Sequence, residues 1–461
     1  MDTEQDMSEQ TTGIRGKVLT SAKLATLRFA FQIGARLIST VILTRLLAPE
    51  IYGVFAIVLV YLYILEMFSD LGIRSVIITK EGEVEDDFLR TCWTVAILRG
   101  VIIAGVASLI AAAIGWLQSM QVFAADSPYV ASELPWALAT LGATMIIGGL
   151  LSPMQYVQER NMAFGKVTWL NIATNLIGLF ATVALAYSLR SVWALVLGNV
   201  VRTVFFVAMS FIFFPGPRMR PLLDRTYLGI IIDRGKWIIG HSILTALTNS
   251  GDRLLLGFAM SSSTFGFYYI ARQLVDMVQI FLNSINAQMG LQVFSHLHKS
   301  TVTKFRHNYY RYRLFFDATA GLSVGALVVL SPLIVEILFD DRYREVAQIA
   351  QILIWGMLLT GPLLLRSAFS AERRFKEMTL LSVVSTVTLW VGLVVAIFMM
   401  DSQELALIAI ALHRLPEAMW LILLGGDRDW VIIWREFIGF AFCILGLLMG
   451  QTILRLWNVL I

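Results

Sequence analysis

The chain has 461 residues, of which 57% are hydrophobic and only 15% charged, with a formal net charge of +4. Soluble domains carry roughly 25% charged residues, and here the apolar residues come in long runs, so composition excludes an ordinary soluble domain and points to an all-α polytopic membrane protein. Cys92 and Cys443 lie in separate apolar runs with no CxxC pair, which argues against a disulfide framework or a thiolate metal site.

The first stretch, "MDTEQDMSEQTTGIRGK", is too polar for a secretory signal and is expected to stay in place as a tail. Runs of mostly apolar residues follow, each about 20 long, the length that crosses a hydrocarbon core of about 30 Å. They lie near 24–47, 51–73, 91–117, 135–156, 167–188, 191–214, 236–259, 264–288, 314–338, 346–369, 377–400, 403–424 and 435–455, so about 13 transmembrane helices are expected. The connections on the side of the N-terminus hold 23 Lys and Arg; those on the other side hold four. By the positive-inside rule the N-terminus is cytoplasmic. The basic balance is thus a topology signal, and no nucleic acid partner is needed to explain it.

An internal echo organises these spans. "TRLLAPEIYGVF" (44–55) reappears as "AMSSSTFGFYYIA" (259–271), which places Gly53 opposite Gly266 at an offset of 213 residues. The same offset aligns "QERN" (158–161) with "AERR" (371–374). The division expected is a cytoplasmic tail (1–23), an N-lobe of six spans (24–214), a basic cytoplasmic linker (215–235), a C-lobe of six spans (236–424) and an additional C-terminal span (425–461). Six spans return the chain to its starting side, so the two lobes are expected to be related by a pseudo-twofold axis along the membrane normal, around a central cavity.

Three stretches carry a more specific resemblance: "RLLAPEIYGVFAIVLVYLYILEMFSDLGI", "QERNMAFGKV" and "DRLLLGFAMSSSTFGFYYIARQL". With them the chain resembles the polysaccharide transporter (oligosaccharide flippase) family of the multidrug/oligosaccharidyl-lipid/polysaccharide exporter superfamily. The resemblance implies two six-helix lobes, residence in the bacterial inner membrane, and flipping of an undecaprenyl-pyrophosphate-linked oligosaccharide for exopolysaccharide, capsule or O-antigen export. Membrane lipids, a polysaccharide polymerase and export machinery would be the partners, with no cofactor. The odd span count departs from relatives with twelve or fourteen. A multidrug or cation antiporter of the same superfamily is the alternative. An enzyme acting on the same lipid is disfavoured, because the longest outward loop, 118–134, offers Asp126 and Glu133 but is short.

The charges inside the spans locate candidate sites. Nine Arg fall there, and each at the bilayer centre costs about 2.5–3.5 kcal/mol on lenient scales, so they must face protein or water. Arg28, Gln32, Arg36 and Ser39 occupy an arc of about 80° on the first span. Adding the offset gives His241, Thr245, Asn249 and Asp252 on the seventh, with Arg253 at the border. Both stripes are expected to bind a substrate headgroup, since arginine presents a permanent charge and a fork of donors matched to phosphate oxygens. On the eighth span Arg272, Asp276, Gln279 and Asn283 share an arc; Arg272 and Asp276 are spaced for an intrahelical ion pair. Arg272 joins the headgroup candidates, and Asp276 is a candidate for ion coupling. Glu66 and Asp70, also four apart, are coupling candidates that call for an arginine from a neighbouring span or a shared proton. Arg45, Arg99, Arg202, Arg366 and Arg414 are expected to find local partners or the interface. Gly321/Gly325 and Gly446/Gly450 form GxxxG pairs suited to close helix packing. No Walker A pattern occurs, so ATP is not expected to drive the chain directly.

Overall fold

A segment crossing hydrocarbon finds no water for its peptide groups and satisfies them along its own axis. In the computed structural model, which describes residues 31–69, 71–297, 301–372 and 374–460, every regular element among the described residues is helical. Eight helices are long and apolar enough to cross a membrane, or ten if each of two bent pairs counts as one span. All coincide with expected spans. The remaining three of the thirteen expected spans are the first, described only from residue 31, and the two whose charged residues form the second polar cluster described below.

The described residues divide into two units, one covering residues 31–125 and Tyr129–Ala246 and the other Asp126–Pro128 and residues 247–460. In the first unit, α1 (31–46) is followed by α2 (Pro49–Phe68), whose proline sits at the first turn where its missing N–H costs nothing. Gly72 takes a left-handed conformation, φ 60°, and starts the short α3 (Ile73–Ile78). The long α4 (Asp86–Ser119) then packs against α5 (Glu133–Gly149). Gly149 makes that approach possible: a Cβ there would lie 2.7 Å from the Ala96 carbonyl oxygen. Beyond it the chain turns by 64° into α6 (Met154–Arg160). The opened turn is satisfied by Trp93 Nε1, which donates to the Leu150 carbonyl at 3.1 Å, and by Ser210 Oγ, which accepts from the Ser152 N–H at 3.2 Å. The helices α7 (Phe164–Leu189) and α8 (Val192–Phe213) form an antiparallel hairpin, and α9 (Arg225–Ala259) leads out of the unit. The stretch expected as a linker at 215–235 is therefore helical from Arg225 onward.

In the second unit α10 (Ser262–Leu297), α11 (Val302–Leu338), α12 (Glu345–Ile354), α13 (Leu365–Ala371), α14 (Phe375–Val394), α15 (Gln403–Leu412), α16 (Leu415–Gly426) and α17 (Ile438–Leu460) follow in turn. The second bend, 44°, falls at Gly361 and Pro362 before α13. The two GxxxG pairs meet each other: a Cβ on Gly321 would lie 2.6 Å from the Gly439 oxygen, and one on Gly446 2.6 Å from the Leu322 oxygen. The C-terminal α17 is thereby packed along α11. At its N-terminal end the fully buried Arg313 pairs with Asp317 at 2.8 Å and with Glu436 at 2.8 Å, while Tyr309 and Tyr310 donate to Glu436 at 3.1 Å each. The offset of 213 also relates structural landmarks. It carries Pro49, the first residue of α2, to Ser262, the first of α10, and Gly149 at the first bend to Pro362 at the second.

Candidate functional site

Within the first unit, the loop that leaves α2 and the bend after α5 leave a cavity of about 580 Å³, with Glu66, Arg74, Trp93, Arg99 and Tyr156 among its lining residues. Arg99 on α4 reaches back to the end of α2. Its Nη2 donates to the Glu66 carbonyl at 2.8 Å, its Nε donates to Ser69 Oγ at 3.1 Å, and the two charged groups stand 4.0 Å apart. The arginine that Glu66 called for is thus Arg99, one of the five cations expected to find local partners. Asp70 lies outside the described residues, as does Arg28. A second pair flanks the cavity: Arg74 Nε on α3 meets Glu159 Oε2 on α6 at 2.6 Å, with the Arg74 side chain 62% exposed and Glu159 only 6%. Arg74 appears in the sequence as one more basic loop residue, and its partner is 85 positions away in the "QERN" motif. Nothing in helical periodicity links the two.

On α1, Gln32 is exposed and Arg36 half-buried. Among the described residues no carboxylate comes within 4.0 Å of Arg36.

The second unit holds a different arrangement. Arg272 Nε meets Asp276 Oδ1 at 2.9 Å, and Arg272 Nη1 approaches Asp252 Oδ2 at 3.5 Å. Arg253 Nη2 approaches Asp276 Oδ2 at 3.4 Å, and the Tyr268 hydroxyl donates to Asp252. Two cations and two anions so placed neutralise one another, with Asp252 itself only 1% exposed. The cluster nevertheless has open positions: among the described residues Asp252 Oδ1 and Arg253 Nε have no hydrogen-bond partner. Tyr268 belongs to this cluster although sixteen positions separate it from Asp252. Asn249, one turn earlier on α9, is exposed; the His241 side chain lies outside what is described. Gln279 Nε2 donates to Asn283 Oδ1 at 3.2 Å and to Thr360 Oγ1 at 3.1 Å. Arg366 is held by Glu417 at 2.7 Å, Arg45 is exposed, and Arg202 and Arg414 have no carboxylate within 4.0 Å among the described residues.

Among the described residues, one unit thus has arginine without a carboxylate partner and a cavity of about 580 Å³ among its helices, and the other a compensated cluster. Groups so placed can exchange ion-pair partners with a charged ligand.

Comparison with known proteins fits this picture. The lipopolysaccharide biosynthesis protein WzxC of Escherichia coli (strain K12) is 21% identical over 352 residues, 75% of this chain and 68% of that protein. The fold is shared with the lipid II flippase MurJ in an inward closed conformation, at a TM-score of 0.68 and 10% identity, over 96% of this chain and 100% of that one. It is shared as well with an inward-facing multidrug resistance MATE family transporter of the MOP superfamily, at a TM-score of 0.61 and 13% identity, over 87% and 94% of the two chains. Transporters and flippases are thus among the structural kin of this multi-pass membrane protein. Residues 42–348 match the family described as polysaccharide biosynthesis protein, and a match of that extent settles the matter: the chain is a member of the polysaccharide biosynthesis protein family.

Proposed function

We propose that the protein is a flippase that moves an undecaprenyl-pyrophosphate-linked oligosaccharide from the inner to the outer leaflet of the bacterial cytoplasmic membrane, by alternating access, in the export of an exopolysaccharide, capsule or O-antigen. The observation that carries this is Arg36, a half-buried cation on a membrane helix with no carboxylate within 4.0 Å among the described residues, in a chain of the polysaccharide biosynthesis family. A lipid-linked pyrophosphate needs its negative charge neutralised while its sugars stay hydrated and its polyprenyl chain stays in lipid. A permanent guanidinium charge in a polar stripe meets the first need. Arg28, eight residues earlier on the same arc, is assigned the same role with Gln32, and Asn249, Asp252, Arg253 and Arg272 are assigned contacts to the remainder of the headgroup. Glu66, Asp70 and Asp276 are assigned to ion coupling. An interior about 100 mV negative would release roughly 5 kcal/mol as two negative charges leave it, enough to bias the direction of export. The N-terminus is cytoplasmic in this scheme, and a polymerase with export machinery receives the product. The two halves act as pseudo-twofold-related lobes of six spans.

The alternative, a multidrug or cation antiporter, draws on Asp252 and Asp276 in the second unit and on the fold shared with the MATE transporter. Depletion of the protein in its native cell separates the two. A flippase leaves lipid-linked oligosaccharide accumulating on the cytoplasmic leaflet, whereas an antiporter leaves that pool unchanged and raises sensitivity to cationic drugs.

A further inference from the structure

We propose that the first unit carries a separate anion site between α7 and α8, built on Arg202, that takes a single phosphate-type group. A cavity of about 220 Å³ opens there, lined by Asn171, Thr174 and Asn175 of α7 and by Arg202, Thr203 and Phe206 of α8. Arg202 stands near the middle of a 22-residue helix apolar enough to cross the membrane, and it is exposed at the mouth of the pocket. Intramembrane arginines are normally paired, and buried hydroxyls normally find a partner. Here neither does. Among the described residues, Arg202 has no carboxylate within 4.0 Å, Arg202 and Asn175 make no hydrogen bond, and the Thr174 hydroxyl, on a residue 5% exposed, has no partner.

The pocket is a consequence of the way the hairpin packs. Asn171, Thr174, Asn175 and Gly178 recur at helical spacing on one face of α7. A Cβ on Gly178 would stand 2.9 Å from Cγ and Cδ of Arg202, so the absence of a side chain there lets the arginine stem lie across α7. Asn171 and Thr203 already donate to the Val167 and Asn199 carbonyls, at 2.7 and 3.0 Å. The donors left for a ligand are the guanidinium of Arg202, the amide of Asn175 and the hydroxyl of Thr174. A cation without an anion and donors without an acceptor are satisfied together by an anionic oxygen cluster, which the guanidinium fork matches geometrically.

The volume lies below the about 300–1,000 Å³ of pockets for organic ligands of ordinary size, so a phosphate fits and a sugar chain does not. Two sources supply that chemistry: the phosphate of an anionic phospholipid and a free inorganic anion. Exposed apolar residues flank the pocket, Ile177 and Phe180 on α7 and Val201 and Val204 on α8, and offer acyl chains a path along the same surface. The site is separate from the Arg36 stripe, and its binding is measurable whether or not the protein flips a lipid.

The test uses the purified full chain in neutral detergent, with the thermal unfolding midpoint followed by tryptophan fluorescence. The probes are phosphatidylglycerol, sodium phosphate, and diacylglycerol as the chain-only control. The wild type is expected to be stabilised by phosphatidylglycerol and not by diacylglycerol. Stabilisation by sodium phosphate as well assigns the site to free anions in addition to lipid. Arg202→Gln is expected to weaken the effect tenfold or more in probe concentration, on the order expected for loss of a charged hydrogen-bonding partner. Arg202→Lys keeps part of it, and Arg45→Gln, at an arginine that does not line the pocket, leaves it intact. If Arg202→Gln fails to fold, Asn175→Leu and Gly178→Val carry the same expectation, the second by displacing the arginine stem. Equal stabilisation of Arg202→Gln and wild type overturns the proposal, as does a wild type that responds to neither phosphate-bearing probe.

Discussion

Removal of Arg74 and removal of Glu159 break the same 2.6 Å contact, yet the consequences should be unequal because burial is unequal. Arg74→Gln leaves a carboxylate whose side chain is only 6% exposed without its cation. An uncompensated group of this kind costs about 1–3 kcal/mol, and the exposure of the arginine keeps the loss below the about 3–5 kcal/mol seen when both partners are deeply buried. Glu159→Gln instead removes the buried charge, retains an acceptor, and leaves an arginine 62% exposed that water solvates, for a loss of under about 1 kcal/mol. The double variant should be no worse than Glu159→Gln alone. Multispan proteins often unfold irreversibly, so half-lives at one temperature in detergent are the suitable assay. There 1.4 kcal/mol corresponds to about tenfold. Arg74→Gln as long-lived as Glu159→Gln, or two losses that simply add in the double variant, would refute the asymmetry and with it the role of this pair in holding α3 against α6.

Other expectations follow from the packing and the charges. Gly325→Leu places atoms against the backbone of Gly446 and Leu447 and should cost about 1–3 kcal/mol or more, while Gly148→Ala, with nothing within 4 Å, should be neutral; equal half-lives would contradict the close contact of α11 with α17. Arg313→Leu strands Asp317 and Glu436 in a buried site and should abolish recovery of folded protein, whereas Arg313→Leu with Asp317→Asn and Glu436→Gln should restore part of it, as seen by size-exclusion chromatography. Arg36→Gln, compared at equal protein in the membrane, should lose flipping while the protein still inserts, and Arg36→Lys should recover it in part, since an ammonium restores charge without the fork. Full transport by Arg36→Gln would remove this residue from the mechanism.

Much of the helix inventory is legible in the sequence because apolar run length is a local property: each expected span overlaps a helix, and the glycine pairs announce a close contact before their partners are known. The bends are legible only in part. Pro153 and Pro362 lie at them, but the closure of the first depends on remote groups, Trp93 and Ser210. Site residues divide the same way. Arg272 and Asp276 are four apart on one helix, so spacing brings them together, whereas Asp252 with Tyr268 and Arg74 with Glu159 meet only after separate helices pack. Loop charge counted for topology also conceals a residue's place in the fold, since Arg74 contributes to the tally of basic loop residues and lines a cavity as well.

The most direct measurement is lipid transfer itself. The purified protein is reconstituted into proteoliposomes with an undecaprenyl-pyrophosphate oligosaccharide carrying a labelled sugar, and the label reaching the opposite leaflet is followed with an impermeant sugar-modifying reagent. The account predicts that label crosses with the wild-type protein, stays in place in protein-free vesicles, and stays in place with Arg36→Gln at equal incorporation. Wild-type vesicles that move a cationic drug and leave the lipid-linked sugar where it was loaded would contradict it.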